Sequence, residues 1–448
     1  MSIVTIIKGS EFDDYFKGFS EVVDEDVDAA VRRIIADVRC EGDGALRRYA
    51  ERFEKTVPAQ FEVPRAAAKA AWENLNTAEP ELSAALSLAA DHIRRFAELQ
   101  KEQLKNFEAE IAPGLFAGQR VIPVEKAAAY VPAGRFPLVS SALMGLIPAA
   151  VAGVGERALV SPPSDGGLPD RRILAAAHLA GADRIFALGG AQAIAALALG
   201  TQTVPRVDVI AGPGNKYVTA AKRMLYGEVG IDFAAGPTDV LIISDTTSGD
   251  DVADDLIAQA ADLIAADMLA QAEHDPDARA RALVPDEKFA QQIALAIEKR
   301  LAALDTAETA RASLRSGGLI VVYASKDEAL AIANRIAPEH LELHVSSPDE
   351  WTGALKNYGS LFIGSAAAEA LGDYSAGINH TLPTGTSARF TGGLSVRNFL
   401  KTLTTLRCAA GAAYDEALAA AQVIATAEGL SAHAESAALR MRAGERRL

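Results

Sequence analysis

The chain has 448 residues, half of them hydrophobic, which is enough to bury a large core spread over more than one domain. Its formal net charge of −15 argues against nucleic acid or an anionic membrane surface as partner and favours small polar molecules. Two isolated cysteines, Cys40 and Cys408, exclude a disulfide framework or a thiolate metal site, and both are expected to be buried thiols. The N-terminus lacks a signal-peptide pattern and no segment is apolar enough to span a membrane, so a cytoplasmic location is expected.

An arm is expected over the first 25 residues. Residues 24–110 carry helical periodicity with almost no strand signal, which predicts a helical layer. From Lys126 short apolar runs alternate with helices: AAAYV, SALMGLIPAAVAGV, RALVSP, RRILAAAHLAG, RIFALG, AQAIAALALG, VDVIAG and NKYVTAAKRML. A second alternation runs from VLIISD through a helix over 251–270 to ARALVP, LIVVYAS, LELHV and SLFIG. Both patterns predict βαβ units and largely parallel sheets, with a junction near Gly236-Pro237. The fold class is therefore α/β: two incomplete Rossmann-like domains, a helical N-terminal region and a helical C-terminal arm. The boundaries are 26–125 with 237–394 for one domain, 126–236 for the other, and 395–448 for the arm, in which a Gly/Thr-rich stretch leads into helix over 411–442.

Three strand-to-helix turns of the 126–236 domain suit ligand binding: Tyr130-Val-Pro-Ala-Gly134, Gly189-Gly190-Ala-Gln192 and Gly212-Pro-Gly214-Asn215. The last follows a strand and opens a helix, so its amides are placed to meet a phosphate. It lacks the third glycine of a dinucleotide fingerprint, and Gly153-Val-Gly155 lies in the wrong strand–helix order for one.

Four of the seven histidines stand beside a carboxylate or amide: Gln271-Ala-Glu-His274, Pro338-Glu339-His340, Asp373 to His380, and Glu428 to His433. Imidazole and carboxylate ligands suit a borderline divalent metal, and an adjacent acid and imidazole suit proton transfer. His92, His178 and His344 lie in ordinary helix or strand context, where a satisfied side chain with no special role is expected.

Eight segments, YVPAGRFP, GGAQAIAAL, AGPGNKYV, AGPTDV, AQAEHD, APEHLEL, GDYSAGINHTLPT and EGLSAH, resemble the histidinol dehydrogenase family in order and spacing. The resemblance implies an enzyme of histidine biosynthesis that oxidises L-histidinol to L-histidine through the aldehyde, a four-electron reaction reducing two NAD⁺. It implies zinc held by Gln271, His274, Asp373 and His433, with the metal positioning substrate. It makes Glu339 and His340 the acid/base pair. Substrate would meet Thr238, Gln271, His274, His340, Asp373, His380, Glu428 and His433, and NAD would meet Tyr130, Gln192 and Asn215. It also implies a homodimer in which the C-terminal arm of one chain brings Glu428 and His433 to the other chain's site. Departures occur at Arg135-Phe136-Pro137-Leu138, at Thr238-Asp239 where Ser-Glu is usual, and at Phe390-Thr-Gly-Gly393. The first and last resemble paralogues acting on other small polar alcohols such as sulfopropanediol. A zinc-stabilised nucleotide-binding protein without catalysis is a third reading, against which the intact Glu339-His340 pair speaks.

Overall fold

A computed structural model describes residues 3–17, 24–133, 137–164, 166–234, 236–248 and 254–445. Arg135 and Phe136, and the start of the helix expected from 251, lie outside the described residues. The chain divides into two compact units, 1–98 with 125–399, and 99–124 with 400–448.

The first unit contains two parallel sheets. One holds β4 (Lys126–Tyr130), β5 (Glu156–Ser161), β6 (Arg184–Ala187), β7 (Val209–Ala211) and β8 (Gly230–Ile231), in the order β6-β5-β4-β7-β8. Strand succession reverses between β4 and β7, and a ligand crevice forms at the carboxyl ends of strands at such a switch point. Helices cover both faces. Val139–Ala152 is apolar almost all round because it is buried almost all round. Gly145 lets it lie against β4, where an added Cβ would fall 2.6 Å from the Ala129 methyl.

The other sheet holds β1 (Thr5–Lys8), β9 (Asp239–Ser244), β10 (Arg279–Val284), β11 (Leu319–Val322), β12 (His340–His344) and β13 (Ser360–Ile363), in the order β1-β11-β10-β9-β12-β13. β9 is buried on both faces and reads as a nearly continuous apolar run, as central parallel strands do, while β12 is equally buried but alternates leucine with His340, Glu342 and His344. β1 belongs to the segment expected to be an arm. It pairs along its length with β11.

The N-terminal helices Glu25–Glu41, Asp43–Phe53, Arg65–Ala78 and Pro80–Glu102 form the predicted helical layer. Asp24 caps the first by accepting from the Val27 amide at 3.1 Å.

The second unit is an antiparallel sheet of β2 (Phe107–Ala112), β3 (Leu115–Pro123) and β14 (Leu400–Cys408), followed by the helices Ala412–Ala427 and Ser431–Glu445. β14 pairs with all nine residues of β3, from Leu400 opposite Pro123 to Cys408 opposite Leu115. The sequence pattern predicts helix and connection here; β14 is exposed over Lys401–Cys408, so no alternation marks it as a strand. Cys40 and Cys408, expected to be buried, are both exposed. Among the described residues no helix is long and apolar enough to cross a membrane.

Candidate active site

The turns at the carboxyl ends of β4, β6 and β7 line a cavity of about 880 Å³, and Tyr130, Gln192 and Asn215 all face it. Tyr130 ends β4 and its hydroxyl accepts the Gly190 amide at 3.1 Å, tying the first turn to the second. Burial pushes the Tyr130 hydroxyl up to about 12, so it remains a neutral donor. The Asn215 carboxamide accepts from the Tyr217 and Val218 amides at 3.0 and 3.2 Å, capping the helix Lys216–Leu225.

The Gly212 turn rests on a buried pair. Lys222 donates to the Gly212 carbonyl at 2.9 Å, Asp232 accepts the Gly212 amide at 2.8 Å, and Lys222 and Asp232 pair with one another. Gly212 has φ +116°, and a Cβ there would lie 2.2 Å from the Tyr130 carbonyl oxygen. Only glycine fits so close an approach.

A second cavity of about 400 Å³ adjoins the first, sharing Pro132 and Asn215 with it. Its walls include Thr238, His274, Glu339, His340, Glu369, Asp373 and His380. Thr238 and Glu339 precede the adjacent strands β9 and β12, and His340 opens β12, paired with Val240. These residues thus sit at the amino ends of the six-stranded sheet, close to the carboxyl ends of the other.

Glu339 is 6% exposed, and burial pushes its carboxyl up to about 7. Thr238 donates to Glu339 Oε2, and the Asp239 amide donates to the same oxygen at 3.2 Å. Asp239, one residue beyond Thr238, does not line the cavity. Its carboxylate accepts the Glu339 amide at 2.9 Å and pairs with buried Arg281 at 3.2 Å, so the shortened side chain at this departure holds the backbone at Glu339. Phe390, at another departure, is 82% exposed and likewise absent from the walls.

His340 lies among three carboxylates: Nδ1 is 3.7 Å from Glu369 and 3.9 Å from Glu339, and Nε2 is 3.4 Å from Asp373. Burial alone lowers its basicity, but Glu369, Glu339 and Asp373 reverse that and hold it well above the usual imidazole range. Neither ring nitrogen, nor Asp373 Oδ1, has a hydrogen-bond partner. Burial raises the Asp373 carboxyl, yet His340, His380 and His274 keep it below its usual value.

Gln271 is fully buried in the last turn of the helix Asp254–Ala272, and His274 follows in the turn. With its amide nitrogen towards Glu369, Gln271 donates to that carboxylate at 2.7 Å, and its amide oxygen lies 2.7 Å from the Thr238 hydroxyl. The opposite orientation would set two acceptors face to face. His274, Glu369 and Asp373 bring ligand atoms within 4.8 Å of one another. Glu369 is not among the residues that the sequence motifs single out. It stands one turn before Asp373 on Glu369–Tyr374, and that i, i+4 spacing is the signal that marks it.

His380 is held by Ser140 and Ser141 at 3.2 and 3.4 Å from Nε2, and burial lowers its basicity. His92 acts structurally, because its Nδ1 donates to the Ser375 carbonyl at 2.7 Å and so fixes the chain just after Asp373. Glu428 and His433 belong to the second unit, at the end of Ala412–Ala427 and within Ser431–Glu445, and both are exposed.

The histidinol dehydrogenase family model matches residues 19–441. The chain belongs to this family. It is 43% identical to the histidinol dehydrogenase of Methylococcus capsulatus, over 96% of this chain and 95% of that one. To that of Pseudomonas aeruginosa it is 41% identical, over 96% and 94%. The crystal structure of histidinol dehydrogenase from Elizabethkingia anophelis superposes with a TM-score of 0.87 at 32% identity, covering 99% of each chain. The chain is accordingly an oxidoreductase of the histidinol dehydrogenase type, built on the two Rossmann-like sheets that the resemblance implies.

Proposed function

We propose that this enzyme oxidises L-histidinol to L-histidine through the aldehyde, using zinc and two NAD⁺. The observation that carries the reading is the junction of the two cavities at Pro132 and Asn215, which sets a dinucleotide-sized cleft beside a buried acid–imidazole pair.

His340 takes the hydroxyl proton as hydride departs, and the carboxylates around it make it a stronger base than an exposed imidazole. Glu339 removes a proton from the water that adds to the aldehyde, and His340 serves again as the hydrate loses its second hydride. NAD⁺, when bound against Tyr130, Gln192 and Asn215, supplies the hydride acceptor.

The orphaned Asp373 Oδ1 and the convergence of His274 and Asp373 fit a metal ion of nitrogen and oxygen preference. Zinc would be held by Gln271, His274 and Asp373, with Glu369 alongside and His433 of the partner subunit completing the set. Bound there, it supplies a Lewis-acidic anchor for the amino and imidazole nitrogens of the substrate. Glu428 of the partner subunit and His380 would contact the rest. Exposed apolar residues on the second unit, including Leu406, Val423 and Ile424 at 72, 69 and 58%, support its docking on a second copy of the chain.

A panel of small alcohols with NAD⁺ tests the reading. L-histidinol should yield two NADH per molecule, a chelator should abolish turnover, and added zinc should restore it. Turnover of sulfopropanediol with none of histidinol, or full activity in metal-free protein, would overturn it.

A further inference from the structure

The elements that build the active site build a second polar cluster behind it. On β12, residues 340, 342 and 344 share one face, since side chains alternate along a strand. On the helix Asp254–Ala272, Asp267 stands one turn before Gln271 and shares its face. His340 and Gln271 belong to the site. Glu342, His344 and Asp267 make the next layer.

His344 Nε2 lies 3.1 Å from Glu342 Oε2 and 4.0 Å from Asp267 Oδ2, and the three ligand atoms fall within 4.8 Å of one another. Glu342 is 0% and His344 9% exposed. His344 Nε2 and Glu342 Oε2 point into the cluster with no hydrogen-bond partner. No lysine or arginine among the described residues pairs with Glu342 or Asp267; Arg300, which acts on Asp267 at longer range, is bound to Asp262. Two carboxylates and an imidazole therefore converge, buried, with no lysine or arginine among the described residues paired to them. Buried polar atoms left without partners are costly, and an imidazole meeting carboxylates is a donor set that a divalent ion satisfies.

We propose that Asp267, Glu342 and His344 hold a second divalent cation of the zinc, cobalt or manganese class, separate from the ion of the catalytic cavity. Glu342 Oε1 accepts the Glu369 amide at 2.9 Å. The ion thereby ties β12 to the start of the short helix that carries Glu369 and Asp373, and makes a floor for the active site.

Zinc content after equilibrium dialysis of the full-length protein against zinc with a weak competing chelator tests this. Wild type should hold two zinc per chain. Asp267→Asn and His344→Gln should each hold one, His274→Asn should hold one, and Asp267→Asn combined with His274→Asn none. Saturation of wild type at one zinc that His274→Asn loses and Asp267→Asn keeps overturns the proposal. So does retention of the wild-type count by both Asp267→Asn and His344→Gln. If wild type holds one zinc that His274→Asn keeps and Asp267→Asn and His344→Gln lose, the catalytic-cavity zinc fails while the second site stands.

Discussion

Glu339 shows how a single side chain is tuned by where the chain places it. Its carboxyl is raised to about 7, chiefly by burial, while activation of water requires the ionised form. Turnover of the aldehyde should therefore rise with pH through about 7 and then level. Glu339→Gln should remove that limb and lower aldehyde oxidation by about 10²–10⁴-fold, with a smaller loss for the alcohol, whereas His340→Asn should impair both. Equal losses on the two substrates for Glu339→Gln would refute the division of labour. The same shift has a stability consequence. A carboxyl raised from 4.5 to about 7 in the fold contributes stability that is present at low pH and lost as pH rises through 7. Glu339→Gln should therefore have a higher Tm than wild type at pH 8, and the gap should close as pH falls towards 4.5. A constant gap in thermal scans across this range would show that Glu339 is not the titrating group. The adjacency of Glu339 and His340 was legible in the sequence, but Glu369 and His344 were not. Each becomes informative only when a strand or helix face shows what it meets.

Among the elements, the turn after β7 is braced on both its carbonyl and its amide. Gly212 holds a left-handed conformation against the Tyr130 carbonyl, and Lys222 and Asp232 lock it from beneath. Gly212→Ala should cost about 1–3 kcal/mol from backbone strain and weaken NAD binding, read by thermal scan and by titration calorimetry. Unchanged Tm and affinity would show that the turn yields. Lys222→Met leaves Asp232 buried without its partner, a loss of about 3–5 kcal/mol, and Lys222→Arg should recover part of it. The strand–turn–helix order around Gly212 was legible because period-2 and period-3.6 patterns flank it. The support from Lys222 and Asp232 was not, since it joins residues ten apart that only the folded turn brings together. β14 was hidden for the opposite reason: its threonines and charges are exposed, so burial imprints no period on it.

At the scale of the molecule, the proposed assembly turns on Glu428 and His433. They sit exposed on a unit that also exposes large apolar side chains. If that arm completes the partner's site, mixing Glu339→Gln with His433→Ala chains should regenerate activity, because one site of each heterodimer then has both intact halves. No recovery with heterodimer verified would place His433 in its own chain's site.

The sequence by itself determined the family, through eight ordered segments, and the two α/β alternations, because strands buried on both faces are mostly apolar and their crossover helices periodic. It also determined which residue types could do the chemistry. Tertiary structure alone decided that two cavities share Asn215, that Asp239 braces Glu339 from outside the site, that Glu369 joins the cavity wall, and that Glu342, His344 and Asp267 gather behind His340. Those relations depend on which strands lie side by side and which helix covers them, and β9 and β12 are neighbours a hundred residues apart. Local patterns record how each segment meets the core; which segments meet one another is fixed only when the sheet closes.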